Sequence, residues 1–232
     1  MTRSPTRPDV PTDRRRTLTG WLYRAYWRVM QQICCWVLIL GYRIRVWGAA
    51  GVPTTGGVLL VSNHQSFFDP VLATVALPRH CGYMARESLF HNAFFRRLIE
   101  SLHAFPVRRG EADLRAVKET LRRLKGGWPV VLFPEGTRSA GGVMGPIHPG
   151  VATLAKRAGV PVVPVAICGA GEAWPRHRKW PAAGTILVKY GRPIGADELA
   201  GMEPEQIVVR VRGEIQSLMD DLESIRRWRE RF

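Results

Sequence analysis

From Arg43 onward, short apolar runs alternate with segments of helical period. Arg43–Trp47, Gly57–Ser62, Gly82–Ala85, Ala104–Val107, Pro129–Phe133, Val162–Cys168 and Ile186–Tyr190 read as strands, being dense in β-branched and other apolar residues. Pro70–Leu77, Phe94–Leu102, Ala112–Lys125 and Val151–Ala158 read as the helices between them, and Pro204–Arg231 as a final helix. In the third, Leu114, Val117, Leu121 and Leu124 share one face, and Gly126-Gly127 supplies the stop. Strand and helix in alternation predict an α/β fold: one domain, residues 43–232, with a mostly parallel, twisted sheet flanked by helices. In such sheets ligands gather at the carboxyl ends of the strands.

The chain before Arg43 has a different texture. Residues 1–19 are rich in Pro, Thr and Arg and too poor in apolar side chains to offset the entropy of ordering, which predicts a disordered basic tail. Residues 20–42 predict a helix, with Trp21, Tyr26, Trp27, Ile33, Trp36 and Leu40 on a broad apolar surface and Arg24, Arg28, Gln31 and Gln32 recurring on one side. Its charge-free stretch, 14 residues between Arg28 and Arg43, is short of the ~20 that cross a bilayer core. An amphipathic helix lying in the membrane interface fits better, with aromatic rings at the headgroup level and Arg14-Arg15-Arg16 against anionic lipid; insertion with snorkelling arginines stays open. The segment does not have the order of a secretory signal.

Composition narrows the partner. Lys and Arg number 34 against 19 Asp and Glu, a formal net charge of +15, which asks for an anionic partner. The excess is dispersed, and no helix-turn-helix, RNP-type strand or zinc-knuckle pattern accompanies it, which turns the reading from nucleic acid toward an anionic membrane surface or a phosphorylated substrate. The four cysteines, Cys34, Cys35, Cys81 and Cys168, form no CxxC pair and have no histidine at ligand spacing, so neither structural zinc nor a disulfide scaffold is expected. They read as reduced packing residues of a membrane-associated protein on the cytoplasmic face.

Two segments carry the chemistry. Asn63-His64-Gln65-Ser66-Phe67-Phe68-Asp69 follows an apolar strand and ends where Asp69-Pro70 predicts a helix start, with Asp69 at the N-cap. Across so short a turn the Asp69 carboxylate can hold one imidazole nitrogen of His64 and leave the other to take a proton from an alcohol. Phe133-Pro134-Glu135-Gly136-Thr137-Arg138-Ser139 follows another strand and gathers backbone N–H groups, hydroxyls and a guanidinium suited to a phosphate, with Glu135 able to accept from a substrate hydroxyl. Each segment alone is also compatible with a plain polar turn. No GxxxxGK[ST] loop and no GxSxG elbow occurs.

With both present, the chain resembles the 1-acyl-glycerol-phosphate (PlsC-type) acyltransferase family from about Arg43 to Tyr190, with a motif core over 58–168. Asn63, His64 and Asp69 meet its NHxxxxD motif, and residues 133–139 meet FPEGTRS in full. Ala104-Phe105-Pro106-Val107-Arg108-Arg109 is similar to its intervening apolar-arginine motif, and Val160-Pro161-Val162-Val163-Pro164-Val165 to its fourth. The resemblance implies a His64–Asp69 catalytic dyad and an acceptor site of Arg86, Arg109, Glu135, Gly136, Thr137 and Arg138. It implies acyl transfer from acyl-CoA or an acyl carrier protein to the free hydroxyl of lysophosphatidic acid, with no metal and no further cofactor. Arg86 stands where relatives often carry Lys, and Arg108 where they carry an acid, which leaves open whether Arg108 or Arg109 faces the acceptor. Another lysophospholipid, a lyso-ornithine lipid or a glycolipid could take the same base, and a non-catalytic anionic-lipid-binding protein is the reading from a different class.

Overall fold

The computed structural model describes residues 41–108, 113–139, 143–175, 178 and 180–230, together with Leu22, Ala25, Tyr26 and Val29. Those four early positions are helical, at spacings that place them on one face. The rest of the helix expected over 20–42, the basic tail, and Arg109 lie outside the described residues. Among the described residues no helix is long and apolar enough to cross a membrane.

Seven strands form one sheet: β1 (Tyr42–Trp47), β2 (Val58–Ser62), β3 (Gly82–Arg86), β4 (Ala104–Val107), β5 (Pro129–Leu132), β6 (Val162–Cys168) and β7 (Gly184–Tyr190), in the order β1-β7-β6-β2-β5-β3-β4. The strands from β6 through β4 are parallel neighbours; β7 runs antiparallel to β6, and β1 runs parallel to β7. The parallel expectation therefore holds for five strands, and β1 and β7 enter from the opposite end.

Helices cover both faces. Against one lie α3 (Leu114–Lys125), α4 (Gly150–Ala158), α6 (Ala196–Ala200) and α7 (Pro204–Glu230), packed on Leu59, Val61, Val130, Val162 and Leu187. Against the other, α1 (Asp69–Leu72) and α5 (Ala170–Ala173) pack on Val58, Leu60, Val131, Val163 and Ile186. Alternate residues of β2 thus point into two cores, which is why its sequence is continuously apolar instead of alternating. Full burial of each such aliphatic side chain contributes roughly 1.5–3 kcal/mol. Pro106 is tolerated because β4 is the sheet's edge strand.

Local signals set the helix ends. Asn92 caps α2 (Ala93–Ser101) by accepting from the Phe95 N–H at 3.0 Å, and Asp113 caps α3 by accepting from Arg115 and Ala116. Gly159, at φ +61°, ends α4 in the left-handed region where glycine is free of the Cβ penalty. The helix expected over Pro70–Leu77 is regular only to Leu72. The Thr74 hydroxyl bonds back to the Pro70 and Val71 carbonyls, and Leu77 precedes a proline, so the chain continues in turns.

Candidate active site

Strands β2 and β5 are hydrogen-bonded neighbours, so the segments that leave their carboxyl ends emerge side by side. His64 comes two residues after β2. Asp69 is the first residue of α1 rather than its N-cap, which is Phe68. The expected capping role is replaced by a different one: its Oδ2 accepts from His64 Nδ1 at 2.8 Å and from the backbone N–H groups of Gln65 and Ser66 at 2.5 and 2.7 Å. The carboxylate thus closes the turn back on itself. Asp69 is fully buried and His64 nearly so. With Nδ1–H donated to Asp69, the imidazole lone pair sits on Nε2.

The segment after β5 grips the histidine through its backbone. Glu135 Oε1 accepts from the His64 N–H at 2.7 Å, and Ser139 donates its N–H and hydroxyl to the His64 carbonyl at 2.8 and 3.0 Å. Glu135 Oε2 accepts from the Gly145 N–H at 2.8 Å. Phe133 stacks on the imidazole, with ring centroids 4.3 Å apart at 24°. Asn63 holds the other side, donating to the Ile167 carbonyl and accepting from its N–H, both at 2.8 Å, so a side chain extends the ladder between β2 and β6.

Arg138 reaches the same place from above. Its guanidinium lies 3.6 Å from the centroid of Phe67, a half-exposed ring inside the turn that joins His64 to Asp69. Phe67 packs against Trp174, which also meets Phe68, and Phe68 meets Tyr42 edge-on. Gly136, at φ +66°, makes the turn that presents Thr137 and Arg138, and Thr137 is exposed.

The structure therefore brings His64, Asp69, Glu135, Gly136, Thr137 and Arg138 to one locus. Glu135 is bonded to two backbone amides, one per oxygen, so its position is that of a brace on His64; an acceptor would have to share those oxygens. Arg86 ends β3, the strand beyond β5, with an exposed side chain. Arg108 pairs with Glu87 at 2.9 Å, both well exposed. Phe67, Phe133, Asn63 and Ser139 belong to the site and were not among the expected site residues. Three of them stood in the quoted motifs, but nothing in the sequence separates a ring platform or a backbone clasp from ordinary packing.

Of the other reactive groups, Cys81 and Cys168 are buried free thiols, and burial pushes Cys81 up to about 12, so it stays a thiol. Among the described residues no group of three or more His, Cys, Asp or Glu could hold a metal ion.

The sequence model of the Acyltransferase family matches residues 43–168. A 1-acyl-sn-glycerol-3-phosphate acyltransferase of Bacillus subtilis is 26% identical over 189 residues, covering 81% of this chain and 92% of that one. One of Pseudomonas aeruginosa is 32% identical over 186 residues, covering 75% and 70%. The crystal structure of the 1-acyl-sn-glycerophosphate acyltransferase PlsC of Thermotoga maritima superposes with a TM-score of 0.74 at 23% identity, over 86% of this chain and 81% of that one, and so shares the fold.

Proposed function

The chain belongs to the Acyltransferase family, and from that premise we propose that it moves a fatty acyl group from the thioester of acyl-CoA or an acyl carrier protein to the free hydroxyl of 1-acyl-sn-glycerol 3-phosphate, giving phosphatidic acid. His64 is the base. Its Nε2 takes the hydroxyl proton as that oxygen attacks the thioester carbonyl; the carbon–sulfur bond then breaks, and the departing sulfur receives the proton from the imidazolium. Asp69 keeps Nδ1 protonated and opposes the positive charge that the ring carries between the two transfers. Arg138, with the backbone and hydroxyl of Thr137, holds the acceptor phosphate, and Arg86 and Arg109 add positive charge around it. A thioester is reactive enough that direct transfer needs no acyl-enzyme.

One observation carries this reading. Asp69 orients the His64 imidazole, and the Arg138 guanidinium lies over Phe67, which belongs to the turn that joins His64 to Asp69; that shared turn supports assigning the base and the anion clamp to one substrate. The reading is tested with purified protein, acyl-CoA and lysophosphatidic acid, following thiol release. General-base loss alone is worth about 10²–10⁴-fold, so His64→Ala is expected to remove that factor at least while leaving the fold unchanged. Undiminished turnover in His64→Ala would take the base away and the mechanism with it.

A further inference from the structure

A third segment packs on the site, and it lies just past the residues that the family model matches. That match ends at Cys168, the last residue of β6, and residues 169–174 then turn against the loop that joins His64 to Asp69. The approach is close: a Cβ on Gly171 would stand 3.2 Å from that of Gln65. The buried Ser66 hydroxyl donates to the Trp174 carbonyl at 3.0 Å and accepts from the Phe68 N–H at 3.3 Å.

Trp174 is itself held in place. Its backbone N–H donates to the Ala170 carbonyl at 2.9 Å and its indole N–H to the Arg178 carbonyl at 3.1 Å. Two residues upstream, Glu172 of α5 is held bidentately by Arg226 of α7. The indole is therefore a fixed wall for the turn, meeting Phe67 with ring centroids 5.0 Å apart at 44° and Phe68 at 4.9 Å and 59°. Phe67 is 49% exposed, and a half-exposed ring keeps one rotamer when a rigid neighbour excludes the others. The Arg138 guanidinium lies over that same ring. A ring holds a guanidinium in place without cancelling its charge, as a carboxylate would, which suits a residue that has to meet an anion.

We propose that Trp174 is a positioning residue of the anion clamp: its indole fixes Phe67, and Phe67 fixes the guanidinium of Arg138. The proposal rests on the acyl-transfer reading for its purpose, since in that reading Arg138 holds the acceptor phosphate. Nothing in the sequence marks Trp174 for this role, because it stands outside the motifs and more than a hundred residues from the ring it supports.

The first arm of the test reads Arg138 without substrate. In the isotope-labelled full chain, the Arg138 side-chain Nε–H resonance is identified by its loss in Arg138→Lys, and Phe67→Leu calibrates how far the ring current displaces it. Trp174→Leu is expected to remove at least about half of that displacement, and the milder Trp174→Phe a smaller part, with thermal midpoints measured alongside to show that both variants are folded. A resonance that keeps its place in both Trp174 variants overturns the proposal. The second arm follows thiol release at varied lysophosphatidic acid. Trp174→Leu should raise the acceptor KM about three- to tenfold, the worth of one aromatic contact, with kcat and the acyl-CoA KM within about twofold. In a Phe67→Leu background it should add nothing, because the ring through which it acts is gone. A fall in kcat that is fully additive in that background would make Trp174 a mere cover for the turn and also overturns the proposal. A resonance that moves while the acceptor KM stays the same keeps the placing of Arg138 by Trp174 and sinks the assignment of that arginine to the phosphate.

Discussion

Glu135 shows how a motif residue can act through its neighbour's backbone. Its carboxylate joins the His64 N–H to the Gly145 N–H, while Ser139 holds the His64 carbonyl, so the peptide carrying the proposed base is clasped on both sides. In Glu135→Gln one carbonyl oxygen remains for two amide donors, and the new NH₂ faces an N–H. Loss of a charge-assisted bond is worth about 1.5–3 kcal/mol, or about 10–10²-fold in rate if it falls on the geometry of the base. The expected kinetics are a fall in kcat of that size with the acceptor KM nearly unchanged. A change confined to the acceptor KM would instead return Glu135 to the phosphate. The clasp is not legible in the sequence, because it depends on β2 and β5, almost seventy residues apart, being neighbours in the sheet.

The elements differ in how openly the sequence declared them. β2, β5 and β6 are buried on both faces and so appear as unbroken apolar runs, readable without knowing their partners. α3 carries its own cap and stop and was readable for the same local reasons. α5 and α6, at four and five residues, are too short to show a helical period, and β7 begins two residues before its apolar run because Gly184 and Thr185 are held by β1. The order of the strands, and with it the reversal of β1 and β7, is a property of packing that no local pattern encodes. Burial on two faces has an energetic counterpart. Leu60→Ala, in the middle of β2, should cost about 2–5 kcal/mol in urea unfolding, whereas Phe94→Ala, on the exposed side of α2, should stay within about 0.5 kcal/mol. A large loss from Phe94→Ala would mean that its ring is packed and unavailable to a partner.

Across the whole molecule, the edge remote from the site carries a titratable cluster of its own. His80 and His103 share a hydrogen bond of 3.0 Å between Nδ1 and Nε2, Trp128 packs on His103 with ring centroids 4.9 Å apart, and Arg123 donates to the His103 carbonyl. Burial, then His80, then Arg123 push His103 down to about 4. The unfolded chain takes up this proton near pH 6.5 and the folded chain only near pH 4, so stability from this residue is complete above about pH 6.5 and declines as pH falls toward 4. His103 sits at φ +65°, a conformation that Asn accepts better than most residues. In His103→Asn the slope of the urea midpoint against pH over that window should therefore flatten; an unchanged slope would assign the acid sensitivity to other groups. The reversal of β1 matters for handling the protein as well. Because Tyr42 starts at the reactive edge, a chip, resin or reporter attached beside it would sit on the same edge as His64 and Arg138. A linker grafted into the Gly126-Gly127 turn, at the far side, leaves that edge facing solution, which makes it the better anchor for an immobilised catalyst.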